Sequence, residues 1–119
     1  MKMEAISISK SIRQSPRKIR KTLNAVRDLN LEHALDYLHF SKEKASTSIE
    51  KTIKSAVANL ISKNNNESID LKLIKIKEAY VNGGPVMKRF RAASMGRASR
   101  LRKPTSHLTI IVSLKNLER

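Results

Sequence analysis

The chain has 119 residues, no cysteine, a hydrophobic fraction of 39% and a formal net charge of +15. This length fits one domain, and the lack of cysteine excludes disulfides and thiolate metal sites. No apolar run approaches the roughly 20 residues of a membrane-spanning helix, and the segment MKMEAISISK lacks the apolar stretch of a secretory signal. We therefore expect a soluble, cytoplasmic protein.

The positive charge lies in two blocks that contain no acidic residue. Seven lysines and arginines lie between Glu4 and Asp28, and eight lie between Glu78 and Glu118. The middle of the chain carries eight acids and eight lysines, so its charge sums to zero. Nine of the ten arginines lie in the two blocks, and arginine offers a planar fork of donors that matches phosphate oxygens. The blocks therefore indicate surfaces that bind a polyanion.

The first block predicts a strand followed by a helix. Isoleucine and serine alternate over residues 5–12, which is typical of a half-buried strand. Ser15 and Pro16 then supply an N-cap and a first-turn proline. Apolar residues recur at i, i+4 and i+7 from Ile19, which predicts a helix over 16–29. Beside this apolar face lies a polar stripe composed of Arg17, Arg20, Asn24 and Arg27.

The charge-balanced middle predicts two more helices. Leucines and an alanine at helical spacing predict a short helix over 31–39. Ser41 is placed to cap a third helix that runs to about Ile61. Its predicted apolar stripe consists of Ala45, Ile49, Ile53, Ala56, Val57 and Leu60. The polar side of this helix carries charges of both signs, so we expect it to face water. Residues 63–67 are predicted to form a loop.

The second half of the chain predicts strands joined by a long segment. Residues 71–81 and 107–114 have strand patterns, and a bulge is predicted at Gly83-Gly84-Pro85. Residues 86–103 are too many for a tight turn, which usually has 2–5 residues. They predict a disordered loop or a hairpin arm, with Met95-Gly96 near the turn. Legs of ten residues would project roughly 30 Å at ~3.3 Å per residue.

Catalytic chemistry finds little support in the sequence. The three histidines, His33, His39 and His107, lack metal-ligand spacing and are interpreted as surface or packing residues. The glycines near Pro85 lack the spacing and the following lysine of a phosphate-binding loop. We expect no enzyme activity, no metal and no cofactor.

Four motifs in register resemble the bacterial large ribosomal subunit protein 22 family over about residues 5–113. They are SPRKIR from Ser15, EAYVNGGP from Glu78 with MKRFR from Met87, GRA from Gly96, and KPTSHLTI from Lys103. The resemblance implies an α+β fold, with three helices packed on a small three-stranded sheet and a long β-hairpin arm. It implies a single domain, 1–119, with a body of about 1–84 and 104–119 and an arm of about 85–103.

The resemblance also implies function and partners. The family binds large-subunit ribosomal RNA of the 23S type across several RNA domains and aids subunit assembly. Its arm lines the nascent-peptide tunnel, and macrolide antibiotics bind near the arm tip. The expected partners are this RNA, neighbouring large-subunit proteins and the nascent peptide, with no membrane and no small-molecule substrate.

The candidate site residues fall into two sets. The RNA-binding set consists of Arg13, Arg17, Lys18, Arg20, Lys21, Arg27, Lys88, Arg89, Arg91, Arg97, Arg100, Arg102 and Lys103. The set at the arm tip that lines the tunnel consists of Phe90, Ala92, Ala93, Ser94, Met95 and Gly96.

Two other functions fit the charge. A DNA-architectural protein with a β-arm is the first, but such proteins insert an apolar wedge at the tip, and Met95-Gly96 is a poor wedge. A cationic membrane-surface protein is the second, but the chain lacks a basic amphipathic helix with bulky aromatic residues.

Overall fold

The computed structural model describes residues 4–63, 71–92 and 98–114; for residues 71, 87–92 and 98–102 only the backbone is described. One strand precedes three helices, and four strands follow them, which is an α+β order. The elements are β1 (Glu4–Ile12), α1 (Pro16–Val26), α2 (Leu31–Phe40), α3 (Lys44–Lys63), a 3-10 turn (Leu71–Leu73), β2 (Ile74–Gly83), β3 (Met87–Ala92), β4 (Ala98–Lys103) and β5 (Ser106–Leu114).

Helix α1 begins as the sequence predicts and ends earlier. The Ser15 hydroxyl accepts a hydrogen bond from the Lys18 amide, and Pro16 occupies the first turn. The predicted end at residue 29 is wrong, because the Leu29 amide bonds to the Val26 carbonyl at 3.1 Å, three residues back. This tighter turn ends the helix at Val26.

The predicted role of Ser41 is also wrong. Ser41 has extended backbone angles and follows the last residue of α2, which is one residue longer than predicted. Its hydroxyl accepts from the Glu43 amide at 3.2 Å, and the Glu43 carbonyl accepts from the Ser46 amide at 3.2 Å. Helix α3 therefore starts at Lys44, and it ends at Lys63 rather than at Ile61.

Three strands form an antiparallel sheet in the order β1-β5-β2, so β1 and β2 are its edges. The register places Ile6 and Glu78 on either side of Ile111. Strand β2 begins three residues later than predicted because Leu71–Leu73 forms a 3-10 turn. It continues through Gly83, with one extra residue, Lys77, between paired positions.

The helices cover one face of this sheet. The buried side chains include every apolar residue predicted to line α1 and α3: Ile19, Leu23, Val26, Ala45, Ile49, Ile53, Ala56, Val57 and Leu60. In β1 the serine face packs inward, with Ala5 and Ser7 buried, while Ile6 and Ile8 are 46% and 49% exposed. The Ser9 and Thr52 hydroxyls are 2.7 Å apart. The small residues of β1 therefore let α3 approach closely, and the Ser9 hydroxyl forms a hydrogen bond with the Thr52 hydroxyl of α3.

Strands β3 and β4 form a second, two-stranded antiparallel sheet. Their register runs from Met87 opposite Lys103 to Ala92 opposite Ala98. The complete hairpin arm over residues 85–103 stays a prediction. The predicted turn at Met95-Gly96 lies outside the described residues. The molecule is elongated, with extents of 69 × 25 × 22 Å. Three helices on a three-stranded sheet confirm the α+β class.

Candidate nucleic-acid interface

The exposed side of α1 carries cations that have no partner in the described part of the chain. Arg17, Lys18 and Lys21 are exposed, as is Arg13 just before the helix. No hydrogen bond or ion pair links their side chains to another described residue. Because Ser15 and Pro16 fix the start of the helix, they also fix which way these cations face. Unpaired and exposed, they can bind an external anion at no cost in internal contacts.

Two other arginines of the candidate set bind the protein itself. Arg20 donates to the Val81 carbonyl at 2.8 Å, and Arg27 donates to the Ala79 carbonyl at 2.7 Å. Both carbonyls belong to β2, an edge strand, and their spacing of two residues points them away from β5. Arg20 and Arg27 therefore cover the open edge of β2, and their remaining donors stay exposed.

The opposite edge of the sheet is covered in the same way by α3. Asn59 donates to the Ile6 carbonyl at 2.9 Å, and Lys63 donates to the Glu4 carbonyl at 2.7 Å. Open strand edges are templates for pairing with other chains. Side chains from two helices therefore block both edges of the sheet. The charge pattern of the sequence does not show which cations have this role and which are free to bind anions.

The junction between the body and β3–β4 is held by hydrogen bonds around Thr105. The Gly84 amide donates to the Thr105 carbonyl at 2.9 Å, and the Thr105 hydroxyl donates to the Pro85 carbonyl at 2.5 Å. Gly83 stays paired with Ser106, so the predicted interruption starts one residue later. Between this pair and the Met87–Lys103 pair, three residues on one side, 84–86, lie opposite two on the other, 104–105. One extra residue therefore lies where β3 leaves the body, as in a bulge.

A bulge in β1 supports the same junction. Two residues, Lys10 and Ser11, face His107 alone, and Ser11 has a positive φ of 58°. The Ser11 amide donates to His107 Nδ1 at 3.0 Å, and the Ser106 hydroxyl donates to the Gln14 carbonyl at 2.6 Å. His107 is thus a packing residue, as predicted.

The remaining candidates whose backbone is described lie on β3 and β4. The register places Lys88 opposite Arg102, Phe90 opposite Arg100, and Arg91 opposite Ser99, and it pairs Arg89 with Leu101. Lys103, at the end of β4, is exposed. Ala92 ends β3, whereas Ala93, Ser94, Met95, Gly96 and Arg97 lie outside the described residues.

The described residues offer little for a small ligand or a metal. One open depression of about 400 Å³ is lined by Arg27, Lys77, Glu78, Ala79 and Tyr80. Lys77 itself is engaged: its hydrogen bond to Glu4 at 2.6 Å raises the pKa of this lysine above its ordinary value. Within residues 4–63, 71–92 and 98–114, no group of histidine and carboxylate side chains could hold a metal. No helix in the same residues is long and apolar enough to cross a bilayer.

Comparisons with known proteins match almost the whole chain. The family model described as Ribosomal protein L22p/L17e matches residues 7–113. The large ribosomal subunit protein uL22 of Halothermothrix orenii is 43% identical over 113 residues, covering 95% of this chain and 97% of that protein. The uL22 proteins of Leptospira biflexa and Clostridium novyi are 45% and 44% identical, covering 93% and 92% of this chain and 94% and 96% of their own length.

Proposed function

The chain belongs to the ribosomal protein L22p/L17e family, and on that basis we propose that it is a structural constituent of the large ribosomal subunit in the cytoplasm. The relatives are named as ribosomal subunit proteins, and members of this family are structural components rather than enzymes. The observation that carries the proposal is the agreement of a whole-chain match with the two acid-free basic blocks.

Helix α1 is the proposed contact of the body with ribosomal RNA. Arg17, Lys18 and Lys21 on the helix and Arg13 just before it are exposed and have no partner among the described residues, so they suit phosphate oxygens. Counterion release on binding supplies affinity. Arg20 and Arg27 join the contact through the guanidinium N–H groups that are not bonded to the β2 carbonyls. The geometry supports phosphate contacts rather than reading of bases, since the fixed helix presents charge along one side.

The arm, about residues 85–103, is the proposed second RNA contact. Lys88 and Arg102 occupy directly opposite positions, and like charges in such positions disfavour a hairpin by itself. RNA phosphates would relieve this repulsion. The arm would therefore gain order from the RNA that it crosses. The other cations of the arm proposed to contact this RNA are Arg89, Arg91, Arg97, Arg100 and Lys103.

The arm tip is proposed to line the nascent-peptide tunnel, as the resemblance implies. The stretch Ala92–Met95 carries no charge, between the cationic residues Arg91 and Arg97. An uncharged stretch suits a wall past which a peptide moves, because it offers no fixed charge to retain the peptide. Phe90 and Gly96 complete the proposed tip, and macrolide antibiotics would bind near it.

A binding comparison separates this function from DNA architecture. The purified chain is mixed with a structured large-subunit RNA fragment and, separately, with duplex DNA of the same length, at several moderate salt concentrations. We expect tighter binding to the RNA at each salt concentration, because the arm and α1 can reach phosphates on separate RNA helices. Equal or tighter binding to the DNA would contradict the proposal.

A further inference from the structure

The segment from Asp28 to Ser41, which contains α2, has a charge opposite to the rest of the chain. Its fourteen residues include three acids, Asp28, Glu32 and Asp36, and no lysine or arginine. All three carboxylates are exposed, and no ion pair joins them to another residue in the described ranges. A molecule with a net charge of +15 therefore carries one face that repels phosphate.

The same face exposes two of the four aromatic side chains of the chain. Phe40 is 79% exposed and Tyr37 is 47% exposed. At 100° per residue, Phe40 lies on the opposite side of α2 from buried Leu31, and Tyr37 lies close to Phe40. His39 packs edge-on against Phe40, with ring centroids 5.0 Å apart. Lone exposed apolar residues are ordinary on protein surfaces, but here two large rings share one helix face.

Helix stability does not account for this composition. Glu32 in the first turn favours the helix dipole, but Asp36 follows it at i+4, where like charges repel. On α3, Lys54 pairs with Glu50 at 3.3 Å, and Glu50 also approaches His39 at 3.5 Å. The acids of the α2 face thus neither stabilise their own helix as a pair nor neutralise neighbouring lysines.

We propose that the α2 face, composed of Glu32, Asp36, Tyr37 and Phe40, docks a lysine- and arginine-rich segment of a neighbouring protein in the large subunit. This proposal rests on the proposed function, and it assigns to protein a surface that the RNA contacts do not use. The carboxylates attract the cations of such a segment, and the two rings accept their aliphatic stems and guanidinium planes. RNA is disfavoured because the carboxylates of Glu32 and Asp36, which have no ion-pair partner among the described residues, face it. A second copy is disfavoured because it would bring the same acids together.

Site-specific crosslinking in intact particles tests the assignment. A photoreactive phenylalanine analogue replaces Phe40 in the full chain, and the matched control places it at Arg17 on the exposed side of α1. Large subunits are isolated on gradients and irradiated, and the crosslinked partners are identified by mass spectrometry. We expect Phe40 to crosslink to a protein peptide rich in lysine and arginine and Arg17 to crosslink to RNA.

A charge reversal supplies the second arm of the test. In the Glu32→Lys, Asp36→Lys variant with the analogue at position 40, we expect the protein crosslink to fall at least about fivefold. The same charge reversal with the analogue at position 17 instead should leave the RNA crosslink unchanged. A Phe40 crosslink to RNA, to a second copy or to a peptide without basic residues would overturn the proposal, as would no crosslink or an unchanged yield. Failure of the unmodified chain to enter large subunits would instead overturn the proposed function, and this proposal with it.

Discussion

At the scale of single residues, the cations of α1 divide into two groups that look alike in the sequence. Arg17 and Arg27 both lie on the predicted polar stripe, yet Arg27 reaches the Ala79 carbonyl whereas Arg17 reaches no described residue. The stripe could be predicted from helical spacing. Its division could not, because it depends on which edge of the sheet lies beside α1.

Alanine substitutions at these two positions are expected to change different properties, stability at Arg27 and RNA affinity at Arg17. Arg27→Ala removes a hydrogen bond to a strand edge that water can partly replace, so we expect the free energy of unfolding to fall by about 1 kcal/mol. Arg17→Ala should change this free energy by less than about 0.5 kcal/mol. It should instead lower RNA affinity and reduce the slope of log affinity against log salt by about one. Urea titration and RNA binding at several salt concentrations measure both effects, and equal loss of stability in the two variants would contradict the division.

The two glycines before Pro85 provide a matched pair for the junction. A Cβ atom on Gly84 would lie 2.6 Å from the Thr105 hydroxyl, whereas a Cβ on Gly83 would come no closer than 4.0 Å to Pro16. Thr105 is buried and bonded to Pro85, so it cannot easily move. We expect Gly84→Ala to destabilise the fold by about 1–3 kcal/mol and Gly83→Ala to have little effect. Thermal unfolding measures the difference, and a tolerated Gly84→Ala would show that the junction is looser than its contacts indicate.

At the scale of elements, apolar spacing predicted the helices well, and local hydrogen bonds decided their ends. The stripes of α1 and α3 are buried as predicted, but Ser41 bonds to the Glu43 amide and α3 starts later. The alternation in β1 predicted a strand, and the structure adds that the serines face inward because α3 supplies Thr52 and a close approach. Which face of a strand packs inward depends on the helix that covers it, and the sequence of the strand alone does not contain this information.

Strands β3 and β4 pair only with each other among the described strands, so the body should fold without them. We expect a variant with residues 87–103 replaced by a short glycine-serine turn to unfold cooperatively near the temperature of the intact chain. It should keep RNA binding through α1, with a salt slope lower by about 0.9 for each phosphate that the arm no longer neutralises. Calorimetry and RNA titration measure these properties. Complete loss of RNA affinity in a folded variant would contradict two separate binding surfaces.

At the scale of the whole molecule, the distribution of charge separates two basic surfaces from one acidic helix face. Basic residues lie on α1 and along β3 and β4, and the longest segment without lysine or arginine, residues 28–41, contains the α2 face. The two basic blocks and their polyanion partner could be predicted from the sequence. The α2 face could not, because only the fold shows that Tyr37 and Phe40 remain exposed. A chain with this much self-repulsion also gains stability from any polyanion that binds its folded state alone.

Gradient sedimentation of the full chain tests the central claim most directly. A tagged copy is expressed in a bacterial cell, and the extract is separated on sucrose gradients at low and at moderate salt. We predict that the protein sediments with large subunits and with whole ribosomes in both conditions, because α1 and the arm bind RNA together. A protein that remains at the top of the gradient, free of large-subunit particles, would contradict the account.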